Sequence, residues 1–400
     1  LQIYNEAWRL ERDFYYDPNM RGLDWKAIGE KYRTLLPHAS SRRDLGYLIG
    51  EMIGELNTSH TYVYGGDSRR SGTRVPIGLL GADYTVDEKH DLYRFKKIYD
   101  VADWTQGVYP PLAGPGKQVE EGDYLLMLNN KQITADKNIY QCFEHTAGQQ
   151  VTIHVSPTPD IEDARVIRVT PLRSERTLRY RAWVEHNRAL VDKASGGNIG
   201  YLHLPDTYNG SAAEFPKYFF SQSQKEGLII DGRFNGGGLD PIIFLQRLLR
   251  YPHSFWTRRH SHDQMSPFYG VRAHMACLTN RQAGSGGDEL PEEFQQFDMG
   301  PVIGTRTWGG LVGVSMFMSL IDGGGLTAPD YRIYTEDGRW TVENEGVTPD
   351  IEIDLHPADM AEGKDAQLLK AIEVLMKEIK EEPITWPQHP PIPTDTGKKF

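Results

Sequence analysis

A serine stands in the middle of Leu278-Thr279-Asn280-Arg281-Gln282-Ala283-Gly284-Ser285-Gly286-Gly287-Asp288. The stretch follows an apolar run and leads into a helix-like segment, Asp288 to Phe297. Small residues at a strand-to-helix turn leave a hydroxyl exposed and let backbone N–H groups come close to whatever reacts with it. The helix N-terminus behind the turn favours developing negative charge. These are the needs of a nucleophilic serine, which also requires a base and an oxyanion site. A lone G-S-G is more often a glycine-rich loop with a bystander serine, so the rest of the chain has to decide.

The base candidate is His60, in Gly54-Glu55-Leu56-Asn57-Thr58-Ser59-His60-Thr61-Tyr62-Val63. There a helix stops, a polar turn carries Ser59 and His60, and a strand begins. A histidine at such a junction is well placed as a general base, although a loop histidine on its own is more often a surface or capping residue. Candidate oxyanion donors follow the continuous apolar strand Gly227-Leu228-Ile229-Ile230-Asp231, in Gly232-Arg233-Phe234-Asn235-Gly236-Gly237-Gly238. A glycine run lets N–H groups point into a site with no Cβ in the way. A phosphate cradle is the other use of such a run, but the P-loop lysine with its following Ser/Thr and the G-x-G-x-x-G spacing are both missing. Asp240 suits a helix N-cap and Pro241 its first position. Glu343 lies in the turn-like Thr341-Val342-Glu343-Asn344-Glu345-Gly346-Val347-Thr348-Pro349-Asp350, where a carboxylate is usually just solvated.

The elements that must position these residues are those of an ordinary globular chain. Its 400 residues, 39% hydrophobic and 25% charged, predict two or three packed units. The net charge of −11 argues against nucleic acid or an anionic membrane surface as partner, and no apolar run approaches the roughly 20 residues of a membrane span. Cys142 and Cys277 are too few for a disulfide framework or a structural zinc site. Residues 1–74 read as helices with apolar faces, followed by the His60 turn. Residues 75–173 read as an inserted β-rich module, with strands at Val75–Leu80, Leu92–Ile98, Asp123–Leu128, Val151–His154 and Val166–Val169. Turns at Asp87-Glu88, Gly114-Pro115-Gly116, Asn129-Asn130 and Thr158-Pro159-Asp160 separate them. Residues 174–382 begin with a linker helix, Tyr180–Lys193, continue as alternating strands and helices, and close on an amphipathic helix, Lys364–Glu381. Residues 383–400 are proline-rich, a docked or mobile tail.

Two resemblances attach to these residues. Val119 to Ile133 is similar to the V-x-x-G-D-x-L-x-x-I-N-G-x-x-V stretch of PDZ domains, which accept an extended peptide as an added strand. T-S-H at 58–60, R-F-N-G-G-G at 233–238, T-N-x-x-A-G-S at 279–285, I-G-T-R-T-W-G-G at 303–310 and V-E-N-x-G-V-x-P-D at 342–350 occur in that order around this module. Together they resemble the protease core of the tricorn family, relatives of the tail-specific, C-terminal-processing serine proteases. The resemblance implies an α/β fold with a ClpP/crotonase-like core, an N-terminal helical subdomain and an inserted PDZ-like β domain. It implies a Ser-His-Ser-Glu tetrad in which Ser285 is the nucleophile and His60 its base, with Ser59 between His60 and Glu343. The N–H groups of Gly238 and Gly286 are the implied oxyanion hole, and Gly236, Gly237 and Trp256 are placed on the substrate side.

The chain departs from the pattern in three ways. Tricorn-type proteins carry β-propeller domains before this core, and none is in this sequence. Gly286 stands where archaeal members have Asp after the nucleophile, and Trp256 where they carry an acidic residue that selects basic P1 side chains. The expected function is hydrolysis of peptides or unfolded polypeptide through an acyl-enzyme, with no cofactor and no metal. The expected partner is the chain itself, as a homo-oligomer, a hexamer on the family pattern. Two competing readings are an inactive peptide-binding scaffold built on the PDZ-like module and a crotonase-type acyl-CoA enzyme. The expected compartment is the cytoplasm, with the periplasm or export as the alternative, because position 1 is Leu.

Overall fold

The structure is a computed structural model that describes residues 1–67, 74–102, 107, 109–114, 116 and 119–392. The end of the proline-rich stretch, 393–400, the residues 68–73 closing the expected helical part, and Pro115 of the β-module turn Gly114-Pro115-Gly116 lie outside the described residues. The chain divides into two compact units, Leu1–Arg69 with Arg188–Phe400, and Arg70–Asn187.

In the first unit, three helices, Gln2–Phe14, Trp25–Arg33 and Arg42–Gly54, open the chain. The latter two start where a side chain takes an orphan N–H: Asp24 accepts from Ala27 at 2.9 Å and Ser41 from Asp44 at 3.1 Å. Their buried faces, including Tyr4, Ala7, Trp25, Ile49, Met52 and Ile53, share one core with Leu320 and Leu326. That core draws the strand Gly324–Thr327 beside Tyr62–Gly65, the strand directly after His60, in an antiparallel pair with Tyr62 opposite Thr327. Phe317–Ser319 completes this small sheet.

The main sheet of this unit has five parallel strands in the order Ile351–Glu352, Val302–Gly304, His274–Thr279, Gly227–Asp231, Ile199–His203. Every residue of the last two is buried, as parallel strands covered on both faces require. The helix Ala366–Glu381 packs on the sheet through Leu368, Ala371, Ile372, Leu375 and Ile379. Parallel neighbours end on the same edge, and there open α/β sheets build their sites. The turns that leave this edge are Gly232–Gly238, Asn280–Ser285 and Thr305–Gly310.

The second unit is an antiparallel sheet in the order Ala82–Asp87, Leu92–Ile98, Tyr124–Leu128, Val151–Ser156, Arg165–Val169, with Lys131–Gln132 also paired to Tyr124–Leu128. Its core gathers Phe95, Leu125, Leu128, Phe143, Ile153, Val155 and Val169. The expected strand Val75–Leu80 is not formed. Only isolated bridges, Ile77 to Glu144 and Leu79 to Leu172, mark it, because Pro76 lacks an N–H and Gly78 has no side chain to pack. The expected linker helix runs longer than anticipated, from Arg176 to Ser195.

Candidate active site

Ser285 sits at the junction of the strand His274–Thr279 and the helix Gly286–Gln296, with φ 59° and ψ −125°. A left-handed φ at a non-glycine residue is strained and has to be held. Here Asp288 holds it. Its fully buried carboxylate accepts N–H groups from Ser285 at 2.8 Å, Gly309 at 2.7 Å and Gly310 at 3.0 Å. The Ser285 N–H also reaches the Gly310 carbonyl at 3.1 Å. Burial pushes the Asp288 carboxyl above its ordinary range, while these donors pull it back down. Asp288 is three residues into a helix, where a carboxylate returning to the cap is a recognisable signal. Its hold on Gly309 and Gly310 carries none.

His60 is likewise left-handed, at φ 59°. Its carbonyl accepts from Thr327 Oγ1 at 2.6 Å, and the same Thr327 oxygen accepts the Tyr62 N–H at 2.9 Å, which ties the turn to the small sheet. Its Nδ1 lies 3.0 Å from Ser59 Oγ, which donates to Glu343 Oε2 at 2.8 Å. The Ser59 N–H donates to Glu343 Oε1 at 2.7 Å, and the Leu311 N–H to Oε2 at 2.8 Å. Glu343 follows Val342, a β-branched residue at φ 50°, with the Glu343 N–H closing on the Thr341 carbonyl at 2.5 Å. Such a backbone persists only where its surroundings over-determine it. Because Glu343 offers only acceptors here, the single Ser59 proton goes to it. The Ser59 oxygen is then left to accept from His60 Nδ1–H, which leaves the Nε2 lone pair free. Burial lowers the His60 pKa from its usual 6.5, and the Glu343 and Asp288 charges oppose that shift.

The structure brings Ser59, His60 and Glu343 into one hydrogen-bonded chain. Among the described residues no hydrogen bond joins His60 to Ser285. The two turns meet at Trp308, whose ring centroid lies 5.7 Å from that of His60. A Cβ on Gly284 would fall 2.7 Å from Trp308 Cε3. Apo geometry of this kind commonly tightens only around substrate.

The glycine run lies against the serine. A Cβ on Gly237 would sit 2.5 Å from Ser285 Cβ and 2.9 Å from the Gly286 nitrogen. Asn235 shapes the turn: its Oδ1 accepts the Gly237 N–H at 2.8 Å, its Nδ2 donates to the Leu204 carbonyl at 2.9 Å, and its carbonyl takes the Gly284 N–H at 3.1 Å. Gly236 donates to the Pro205 carbonyl at 3.0 Å. Among the described residues the N–H groups of Gly238 and Gly286 have no acceptor. At the base of the turn Arg233, 1% exposed, pairs with Asp231 at 2.7 Å and Asp365 at 2.8 Å, which fixes the strand end to the start of the last helix.

Trp256 lies on the hairpin Ser254–Arg258/Ser261–Ser266, opposite Gln264, with its ring 5.6 Å from Phe268, and among the described residues no hydrogen bond or ring contact joins it to the serine turn. Among the described residues, Asp240, Glu289 and Glu293 bring carboxylate oxygens within 4.8 Å of one another. Burial, then the Asp240 charge, raise Glu289 to about 7 and Glu293 to about 8. Asp288, Asn235 and Trp308 were not among the site residues read from the sequence, although each stands inside or next to a quoted motif.

Residues 198–353 match the family model "Peptidase family S41", residues 1–54 the "Tricorn protease C1 domain", and residues 78–174 the "Tricorn protease PDZ domain". The chain is 36% identical over 396 residues to the tricorn protease of Thermoplasma acidophilum, covering 98% of this chain and 36% of that protein. A more distant relative is the chloroplastic C-terminal processing peptidase of Tetradesmus obliquus, 23% identical over 88% of this chain and 77% of its own length. The crystal structure of the tricorn protease superposes with a TM-score of 0.85 at 35% identity, over 95% of this chain and 36% of that one. This chain thus spans less than half the length of the tricorn relatives it matches.

Proposed function

We propose that this chain, which carries the tricorn-type S41 and PDZ domains in their family order, is a serine peptidase acting through Ser285. The observation that carries the reading is the Glu343–Ser59–His60 chain, which leaves the His60 Nε2 lone pair unused, together with the glycine run packed against Ser285. Ser285 Oγ attacks the scissile carbonyl carbon and forms the C–O bond while its proton moves to His60 Nε2. The carbonyl π pair moves onto oxygen, where the N–H groups of Gly238 and Gly286 receive it. Ser59 and Glu343 hold the imidazolium. Collapse expels the amine with the His60 proton and leaves an acyl-enzyme, which water hydrolyses by the same steps in reverse. The lowered His60 pKa keeps the base neutral near pH 7.

The same reading assigns the parallel-sheet core to the ClpP/crotonase-like type, and gives the PDZ domain the role of receiving an extended peptide or unfolded polypeptide as an added strand. It includes self-association as a homo-oligomer, a hexamer on the family pattern, read by sedimentation. No helix among the described residues is long and apolar enough to cross a membrane.

A fluorophosphonate probe combined with peptide-library cleavage tests the proposal. Wild-type protein labels and cleaves, and Ser285→Ala does neither while keeping its fold. Wild-type turnover by Ser285→Ala overturns it. Absence of labelling together with peptide binding by the second unit favours the scaffold reading.

A further inference from the structure

The oxyanion site has a feature that the two glycine N–H groups do not account for. Thr207 is fully buried, and among the described residues its Oγ1 has no hydrogen-bond partner. Its backbone is satisfied on both sides: the Thr207 N–H donates to the Gly237 carbonyl at 3.0 Å, and its carbonyl takes the Leu239 N–H at 3.2 Å. The main chain of Thr207 therefore brackets Gly238 in a parallel bridge, and the hydroxyl is delivered to a defined place. A Cβ added to Gly286 would fall 2.2 Å from Thr207 Oγ1, and one added to Gly238 would fall 3.3 Å from it. The hydroxyl therefore stands against the two residues whose N–H groups also lack an acceptor. Glycine at 286 is what makes room for it, since any side chain there would begin where the hydroxyl lies.

A buried O–H beside two free N–H groups is a set of donors awaiting one acceptor. We infer that Thr207 is a catalytic residue: its hydroxyl donates a third hydrogen bond to the oxyanion formed when Ser285 attacks the substrate carbonyl. The inference rests on the peptidase reading above. No proton is transferred in this step. Thr207 keeps its hydrogen and stabilises the electron pair that moves from the C=O bond onto oxygen. Preorganised donors of this kind act on the transition state more than on bound substrate.

Thr207→Val removes the hydroxyl at nearly constant shape, and Thr207→Ser keeps it. On a peptide substrate, Thr207→Val is expected to lower kcat by about 10- to 100-fold with KM within about twofold, and Thr207→Ser to stay within about threefold of wild type. Binding of a peptidyl trifluoromethyl ketone, whose adduct with Ser285 carries the oxyanion, weakens in Thr207→Val by the same factor as kcat/KM. The Tm of Thr207→Val equals or exceeds that of the wild type, because the variant removes an unpartnered buried polar group. A purely structural threonine would instead lose Tm and activity together. If Thr207→Val fails to fold, the kcat ratio of Thr207→Ser to Thr207→Ala carries the same test. Wild-type kcat in the hydroxyl-free variant, or equal loss in Thr207→Ser, overturns the assignment. An inactive wild type removes the peptidase reading itself, whereas an active wild type with unimpaired Thr207→Val removes Thr207 alone.

Discussion

Ser59 gives both its hydroxyl and its backbone N–H to the Glu343 carboxylate, at 2.8 and 2.7 Å, across 284 positions of sequence. A carboxylate gripped from two directions, with the Leu311 N–H as third donor, cannot swing away from the histidine it serves. In the proposed mechanism this pair sets the proton path: Glu343 takes the Ser59 hydrogen, Ser59 takes the His60 Nδ1 hydrogen, and Nε2 is left as the base.

Glu343→Gln tests this path. An amide presents N–H where one of the three donors now points, so Ser59 loses its fixed orientation. Turnover number is expected to fall by roughly 10²-fold or more with little change in KM, and Ser59→Ala to show the same pattern. The pH dependence gives an independent sign. In the proposed mechanism His60 is the neutral base, so kcat/KM is expected to fall below its pKa, and the Glu343 charge raises that pKa. Removing the charge moves the acid limb of kcat/KM to lower pH. An effect confined to KM, with an unmoved limb, assigns Glu343 to substrate binding instead.

Asp288 supports the serine turn rather than the chemistry. Asp288→Asn replaces one acceptor oxygen by an amino group facing backbone N–H donors of Ser285, Gly309 and Gly310. The expected loss is about 1–3 kcal/mol of stability by denaturant unfolding, accompanied by slower fluorophosphonate labelling. Wild-type stability and wild-type labelling together refute this role.

We propose that specificity depends on Trp256, which the family resemblance puts at P1. An indole wall in place of a carboxylate removes the partner of a Lys or Arg side chain, while apolar side chains gain buried area worth about 25 cal/mol per Å². Cation stacking on the indole contributes only about 0.5–2 kcal/mol. The expected order of kcat/KM on matched peptides is Leu or Phe at P1 above Lys or Arg. Asp240, grouped with Glu289 and Glu293, is the built-in control: a preference for Arg that disappears in Asp240→Asn assigns P1 selection to these carboxylates.

Glu11 predicts how stability varies with pH. It lies fully buried in the N-terminal helical core, with no partner for either carboxylate oxygen among the described residues, and burial raises its pKa from 4.5 to about 8. A carboxyl whose folded pKa exceeds its unfolded value binds its proton more tightly when folded. Stability from this group is therefore complete below the unfolded pKa and declines, by about 1.4 kcal/mol per pH unit, as pH rises toward the folded pKa. Between pH 5 and 8 the wild type is expected to lose Tm, and Glu11→Gln to flatten that slope and be the more stable at pH 8. Parallel slopes for the two proteins rule Glu11 out as the cause.

The sequence by itself determined the parts of the site whose chemistry is local. A serine between glycines before a helix, a T-S-H turn after one, and a glycine run after an apolar strand are legible because turn geometry depends on neighbouring residues. Tertiary structure decided everything that depends on approach through space. By its own stretch Glu343 reads as a solvated turn carboxylate and only the family resemblance joins it to Ser59; the fold puts the Ser59 and Leu311 donors on it. Asp288 read as a helix-start residue until it was seen to clamp Gly309 and Gly310. Thr207 gave no signal at all, since a hydroxyl becomes exceptional only when burial leaves it without a partner. Val75–Leu80 shows the converse: its pattern favoured a strand, and a missing N–H at Pro76 and a missing side chain at Gly78 left only isolated bridges. What joins the separate turns is the parallel pairing of Gly227–Asp231, His274–Thr279 and Val302–Gly304, which brings strand ends far apart in the chain to one edge of a sheet. Strand order and register are set by long-range packing, to which no single stretch of sequence has access.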